Sequence, residues 1–289
     1  MNNPEETNHK NTPVISAKKT QKISSCAPKS MQDYNATGQT DLPTVAAVSH
    51  TGFYRSNNED CYGYHVSHNN KVRLLAVADG IGGHGNGDRA SKLLIQELLN
   101  FWRKNEENIT PENWQETVKL LELELFAINH KIHTINEVTG IKVPMGATLA
   151  LLLLFPGKAI TIHAGDSRIY RFRNQTLTQL TEDHSYISEF LKNGTLTKEK
   201  AAKHPLAHVI LRSIGTGMTC DPEIQIHDLE KDDFFLVCSD GLLEDLTDDD
   251  ILQIVRKNHS ISQTANELLQ QTFRNGAHDN VTILCTKYV

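Results

Sequence analysis

At 289 residues, with 38% hydrophobic residues and a formal charge of −6, the chain can bury one large core and carries no basic excess for binding a polyanion. No Lys/Arg cluster exceeds Lys18-Lys19, which argues against a nucleic-acid or anionic-lipid surface. No apolar run reaches the roughly 18 residues of a membrane span, the first 30 residues lack a signal-peptide core, and Cys26, Cys61, Cys220, Cys238 and Cys285 form no CxxC pair, so a soluble cytoplasmic protein is expected.

Residues 1–42 are rich in Asn, Thr, Ser, Lys and Gln, with Tyr34 as their single aromatic residue. They read as a disordered polar tail ahead of one folded body, 43–289. Strands are predicted at 44–49 and 71–78, where β-branched and apolar runs end in turn residues. Apolar residues recur at Ala90, Leu94, Leu98 and Phe101, then at Trp114, Val118, Leu121, Leu125, Ile128, Ile132 and Ile135, which gives two amphipathic helices. Strands at 146–155, 159–164, 168–172 and 177–180 read as one antiparallel meander. Residues 182–214 read as short helices broken at Asn193-Gly194 and His204-Pro205, forming a mobile lobe. Strands at 223–228 and 234–239, helices at 247–257 and 260–275, and a closing strand at 281–288 follow. Sheets inside with helices outside is the economical packing, an α+β architecture.

Acidic residues gather where these strands end: Asn58-Glu59-Asp60, Ala78-Asp79-Gly80, Gly165-Asp166-Ser167, Ser239-Asp240-Gly241 and Asp279-Asn280. Carboxylates distant in sequence converge at a sheet edge when something offsets their repulsion, and Mg²⁺ or Mn²⁺ takes such oxygen ligands. A single Asp-Gly after a strand is an ordinary turn, with Gly80 allowing a sharp bend that turns its carbonyl toward an ion. Two copies of strand-Asp-Gly, at Asp79 and Asp240, favour a metal site. Arg55 beside Glu59 and Asp60 is either half of a surface ion pair or a planar fork for phosphate oxygens, with Asp60 completing the metal site. The glycine-rich run from Gly80 to Gly87 lacks the GK[ST] of a nucleotide loop, and its His84 is either a ligand or a solvated side chain. The acids at 248–250 are placed to meet a helix N-terminus.

The ordered series RSNNED, VADGIGGHG, GATLA, GDSRIY, LTEDHS, HP followed by LRSIGTG, CSDGL and DNVT resembles the PPM family, the type 2C metal-dependent protein Ser/Thr phosphatases, in its bacterial form. The resemblance runs from about Val45 to Val289. It implies an α-β-β-α sandwich of two antiparallel sheets flanked by helices. It also assigns Asp60, Asp79, the Gly80 carbonyl, Asp240 and Asp279 to a two-metal Mg²⁺ or Mn²⁺ centre, and Arg55 to the substrate phosphate. Glu59 would hold metal-bound water, and Asp166 would share a third, weaker metal with Asp240. Animal members carry a His directly after the first Asp-Gly; Ile81 stands there in this chain, so that side-chain acid is absent. Without the third metal, Asp166 would simply end a strand and pair with Arg168.

The implied reaction is attack by a metal-activated water on phosphoserine or phosphothreonine, with no covalent phosphoenzyme, since no Cys sits in a CX₅R loop. Phosphoproteins and a cognate Ser/Thr kinase are the expected partners, and a monomer the expected state. A pseudophosphatase would lack one of these acids, and none is missing; a two-metal nuclease would want a basic groove.

Overall fold

The computed structural model describes residues 44–67, 71–82, 86–197, 200, 204–206, 209–257 and 260–289. The expected tail, His84 and parts of the expected lobe lie outside the described residues.

Hydrogen bonding divides the long strands between two five-stranded antiparallel sheets. One runs β10 (Glu223–Asp228), β7 (Lys158–Ala164), β6 (Leu149–Phe155), β3 (Arg73–Ala78) and β2 (Cys61–Val66). The other runs β1 (Val45–His50), β12 (Val281–Lys287), β11 (Phe234–Cys238), β8 (Arg168–Arg173) and β9 (Thr176–Gln179). A two-stranded pair, β4 (Gly80–Ile81) with β5 (Gly146–Ala147), extends past the end of β3.

Burial on both faces explains why these strands read as continuous apolar runs. In β6, Leu151 and Leu153 face α1 (Gly87–Asn105) and α2 (Trp114–Thr139), packing with Leu94, Leu98, Leu121 and Leu125. Leu152 and Leu154 point the other way, into a layer between the sheets with Leu75, Val77, Phe235, Val237 and Leu284. On the far side, Leu236, Cys238, Ile283 and Cys285 pack with Leu242 of α4 (Gly241–Asp245), Ile251 of α5 (Asp248–Val255) and Leu268 of α6 (Ile261–Asn275). The expected four-layer α-β-β-α sandwich results. Buried Arg73 ties the sheets, its Nη1 donating to Thr286 Oγ1 at 2.8 Å and to the Lys287 carbonyl at 2.7 Å.

Several expectations change. The predicted meander is split: β6 and β7 pair in one sheet, β8 and β9 in the other, and the chain crosses over at 165–167. The single strand expected at 146–155 is two strands in different sheets, broken at Thr148, whose backbone and hydroxyl both bond Asp79. Strand β2 and helix α4 were not anticipated. Within 182–214, the described residues include helix α3 (Tyr186–Lys192). The acids in the first turn of α5 do serve its N-terminus: Thr247 Oγ1 accepts from the Asp250 N–H at 3.2 Å, and Asp250 Oδ2 accepts from the Thr247 N–H at 3.0 Å.

Candidate metal centre

The acids lie on connections at one edge of the sandwich, and the two sheets contribute them jointly. Asp60 precedes β2 and Asp79 follows β3 in one sheet; Asp240 follows β11 and Asp279 precedes β12 in the other. Asp166 sits on the crossover from β7 to β8.

Asp60, Asp79 and the loop carrying Glu59 are held by polar neighbours that the sequence motifs contained but that reading them for carboxylates passed over. The Asp79 N–H donates to Thr148 Oγ1 at 2.9 Å, the Thr148 N–H donates back to the Asp79 carbonyl at 2.8 Å, and the Thr148 hydroxyl meets Ser167 Oγ at 2.8 Å. Fully buried Ser239 donates to Asp60 Oδ2 at 2.7 Å while accepting from the Thr282 N–H at 2.9 Å, which links one sheet's acid to the other sheet's strand ends. Asn280 accepts from the Glu59 N–H at 2.7 Å and donates to the carbonyls of Thr51 and Asn57 at 2.8 and 3.0 Å. Thr148, Ser167, Ser239 and Asn280 lie inside GATLA, GDSRIY, CSDGL and DNVT, so membership of those motifs was the available signal. Replacing Ser239 by Ala is expected to lower the unfolding free energy by about 1–3 kcal/mol, the cost of leaving buried partners unbonded. Urea unfolding of the metal-free protein measures this, and an unchanged midpoint would show that neither bond matters.

The glycines after the two aspartates have a different reason from the sharp turn expected. A Cβ on Gly80 would stand 2.2 Å from the Gly87 carbonyl, and one on Gly241 would stand 2.0 Å from the Asn280 carbonyl. Close backbone approach, where the loops converge, demands glycine at both. The Gly80 carbonyl and the Glu59 carboxylate both come against Gly87, the first residue of α1.

Electrostatics set the character of the site. Asp60 is buried, and lost hydration pushes its pKa up to about 6, with the Ser239 hydroxyl opposing and Asp279 adding repulsion. Asp79 is held well above the ordinary carboxylate range by lost hydration and then by repulsion from Asp240, Asp60 and Asp166. Asp240 is raised likewise, first by lost hydration and then by Asp166, Asp60 and Asp279. Glu59 is raised by burial and by Asp88, with Arg55 opposing. Arg55 reaches the rim from outside: its Nη2 donates to Asp279 Oδ2 at 2.5 Å, with the arginine side chain 57% exposed and the aspartate 18%.

Five mutually repelling carboxylates, three of them held above their ordinary range, form an all-oxygen donor set that lacks positive charge at its centre, and buried Asp60 Oδ1 has no hydrogen-bond partner among the described residues. Hard divalent cations fit such a set.

Arg168 does not take up the Asp166 pairing considered for it. Its Nε and Nη2 fork onto Asp183 at 2.8 and 2.6 Å, and its Nη1 donates to Tyr170 Oη. Behind the crossover lies a group that sequence reading missed: His163 stacks on His184 at 4.4 Å, and His184 Nε2 meets Glu223 Oε2 at 3.1 Å. Proximity alone would allow these three to hold a metal. The Gly165 N–H points at His184 Nδ1 at 3.3 Å, however, which places the ring proton on Nε2 toward Glu223. The trio is therefore better suited to bracing the loop before Asp166, and burial depresses the pKa of both imidazoles.

Two antiparallel sheets thus lie between helix layers, with acids converging from both sheets at one edge. Residues 54–276 match the family described as Protein phosphatase 2C, and the chain belongs to that family. It is 32% identical over 233 residues to the serine/threonine phosphatase stp of Listeria welshimeri, covering 81% of this chain and 91% of that one. The solved serine/threonine phosphatase of S. agalactiae is 30% identical with a TM-score of 0.77, covering 85% of this chain and 98% of that one. The catalytic domain of the serine/threonine protein phosphatase PstP, solved in complex with two manganese ions, is 30% identical with a TM-score of 0.71 over 85% and 98% of the two chains. The chain is a protein phosphatase. Among the described residues, no helix is long and apolar enough to cross a membrane.

Proposed function

We propose that residues 43–289 form a catalytic unit that hydrolyses phosphoserine and phosphothreonine monoesters of proteins at a centre of two divalent cations, Mg²⁺ or Mn²⁺, and that it opposes a Ser/Thr kinase. The observation that carries this is the convergence of Asp60, Asp79, Asp240 and Asp279 from both sheets into one poorly hydrated, mutually repelling set. These four carboxylates and the Gly80 carbonyl would hold the pair, with Glu59 orienting water at its edge. When bound, such cations supply a water acidic enough to attack phosphorus at neutral pH and positive charge to balance the phosphoryl oxygens. The protein's own contribution is position. Ser239 fixes the Asp60 carboxylate, Thr148 fixes the Asp79 backbone and Asn280 fixes the loop carrying Glu59, so the donor set needs little rearrangement to act.

Arg55 would bind the phosphate. Its fork has five N–H donors and bonds Asp279 from an exposed position, which leaves it able to turn toward an anion at the rim. Arg55→Ala is expected to lower kcat/KM for a phosphothreonine peptide by about 10- to 100-fold, the worth of a charge-assisted hydrogen bond at roughly 1.5–3 kcal/mol. Mn²⁺ affinity should hold or tighten, because Asp279 loses its competing cation. An unaltered kcat/KM would return Arg55 to a surface ion pair.

Asp166, with Asp240, would hold a third and weaker cation. Calorimetric titration with Mn²⁺ is expected to lose its weakest binding event in Asp166→Ala while keeping the tighter ones; loss of every event would make Asp166 part of the main pair instead.

A further inference from the structure

Phe53 and Tyr54 stand immediately before Arg55 in the connection from β1 to β2, 60% and 70% exposed. Large apolar rings kept so exposed, side by side, call for a reason beyond folding. They are also fixed in orientation. The Phe53 N–H donates to the Ala277 carbonyl at 2.8 Å, and the Phe53 ring packs 5.2 Å from Phe273. The Tyr54 ring lies parallel to His278 at 5.2 Å, and His278 is anchored by its Nδ1 on Asp245 Oδ1 at 2.6 Å. Gly52 pins the base of the loop: its φ is +77°, and a Cβ there would stand 2.3 Å from the Asp279 carbonyl. The rings are thus tied to the same backbone segment that carries Asp279, the partner of Arg55.

We propose that Phe53 and Tyr54 form a subsite for an apolar side chain lying within two residues of the phosphorylated Ser or Thr in the protein substrate. The inference rests on the phosphatase reading and on Arg55 as the phosphate clamp. An extended peptide advances about 3.3 Å per residue, so a side chain one or two positions from the phosphoresidue reaches a surface one or two residues from the guanidinium. Preorganised rings bind such a side chain with little ordering cost. Glu244 and Asp279 lie near Arg55, so an acidic flanking residue would meet repulsion where an apolar one meets ring faces.

The test compares phosphothreonine peptides that differ only by Leu or Ser at positions −2, −1, +1 and +2, assayed with Mn²⁺ on one preparation of each protein so that any inactive fraction cancels in the ratio. For the unmodified protein, kcat/KM should favour Leu by about three- to tenfold at one or more positions. Tyr54→Ser and Phe53→Ser should each bring that ratio toward one, and Tyr54→Phe should preserve it. A ratio near one at all four positions, or one that survives both serine substitutions, overturns the subsite while leaving the phosphatase intact. Absence of turnover of every peptide overturns the underlying reading, and the subsite with it.

Discussion

Dialysis against EDTA is expected to cut turnover of a phosphothreonine peptide at least about a thousandfold, and added Mn²⁺ or Mg²⁺ to restore it. The reason is that, among the described residues, no free cysteine offers an alternative nucleophile. Cys220, Cys238 and Cys285 are buried, and burial raises their thiols, Cys220 to about 11 and Cys238 to about 12, so none is a thiolate at neutral pH. The acids themselves are poorly hydrated and crowded. Protons compete with cations for them, so Mn²⁺ affinity should fall as pH drops through about 6, where Asp60 takes up its proton. Full turnover in excess chelator would end the two-cation reading.

The second large effect pairs a loss with a gain. Asp79→Asn and Asp240→Asn should each reduce turnover by about a thousandfold or more, yet raise the melting temperature of the metal-free protein at pH 7.5 by roughly 2–4 °C, what about 1 kcal/mol does in a domain of this size. The sign follows from linkage. Both carboxyls have folded-state pKa values well above the ordinary 3.8, so in the ionised form they disfavour the folded state, and that penalty grows as pH rises from the unfolded-state pKa toward the folded one. Below about pH 4 the groups are protonated in both states, so the gain from Asn should vanish there. Differential scanning calorimetry at pH 7.5 and pH 4 tests both halves. Retained turnover in both variants would reduce the acids to turn residues, and a lower melting temperature at pH 7.5 would mean that the side chains are needed for folding itself.

The acids were legible because apolar runs ending in Asp are a local signal, and the four-layer order because the series of motifs resembles the 2C phosphatases. Allocation of strands to sheets was not. When a strand is buried on both faces, as Leu149–Phe155 is, the alternation that would mark its two sides disappears, and nothing local shows that 146–147 and 149–155 belong to different sheets. Strand β2 escaped notice because Gly63 and His65 interrupt its apolar pattern. Gly63 is there for packing: a Cβ would stand 2.8 Å from Ile95 and 2.9 Å from Leu99 of α1. The two alternatives for Arg55 also needed three dimensions, since Asp279, its ion-pair partner, is 224 residues away.

That separation bears on when the protein becomes an enzyme. Asp60 and Asp279 meet only once β12 has inserted between β1 and β11, a pairing between distant parts of the chain of the kind that forms slowly. A growing or partly folded chain still lacking β12 has neither Asp279 nor the Asn280 bonds that hold the loop before Asp60. On the proposed reading of Asp279 as a cation ligand, a chain in which β12 has not yet paired has an incomplete site and is expected to be inactive.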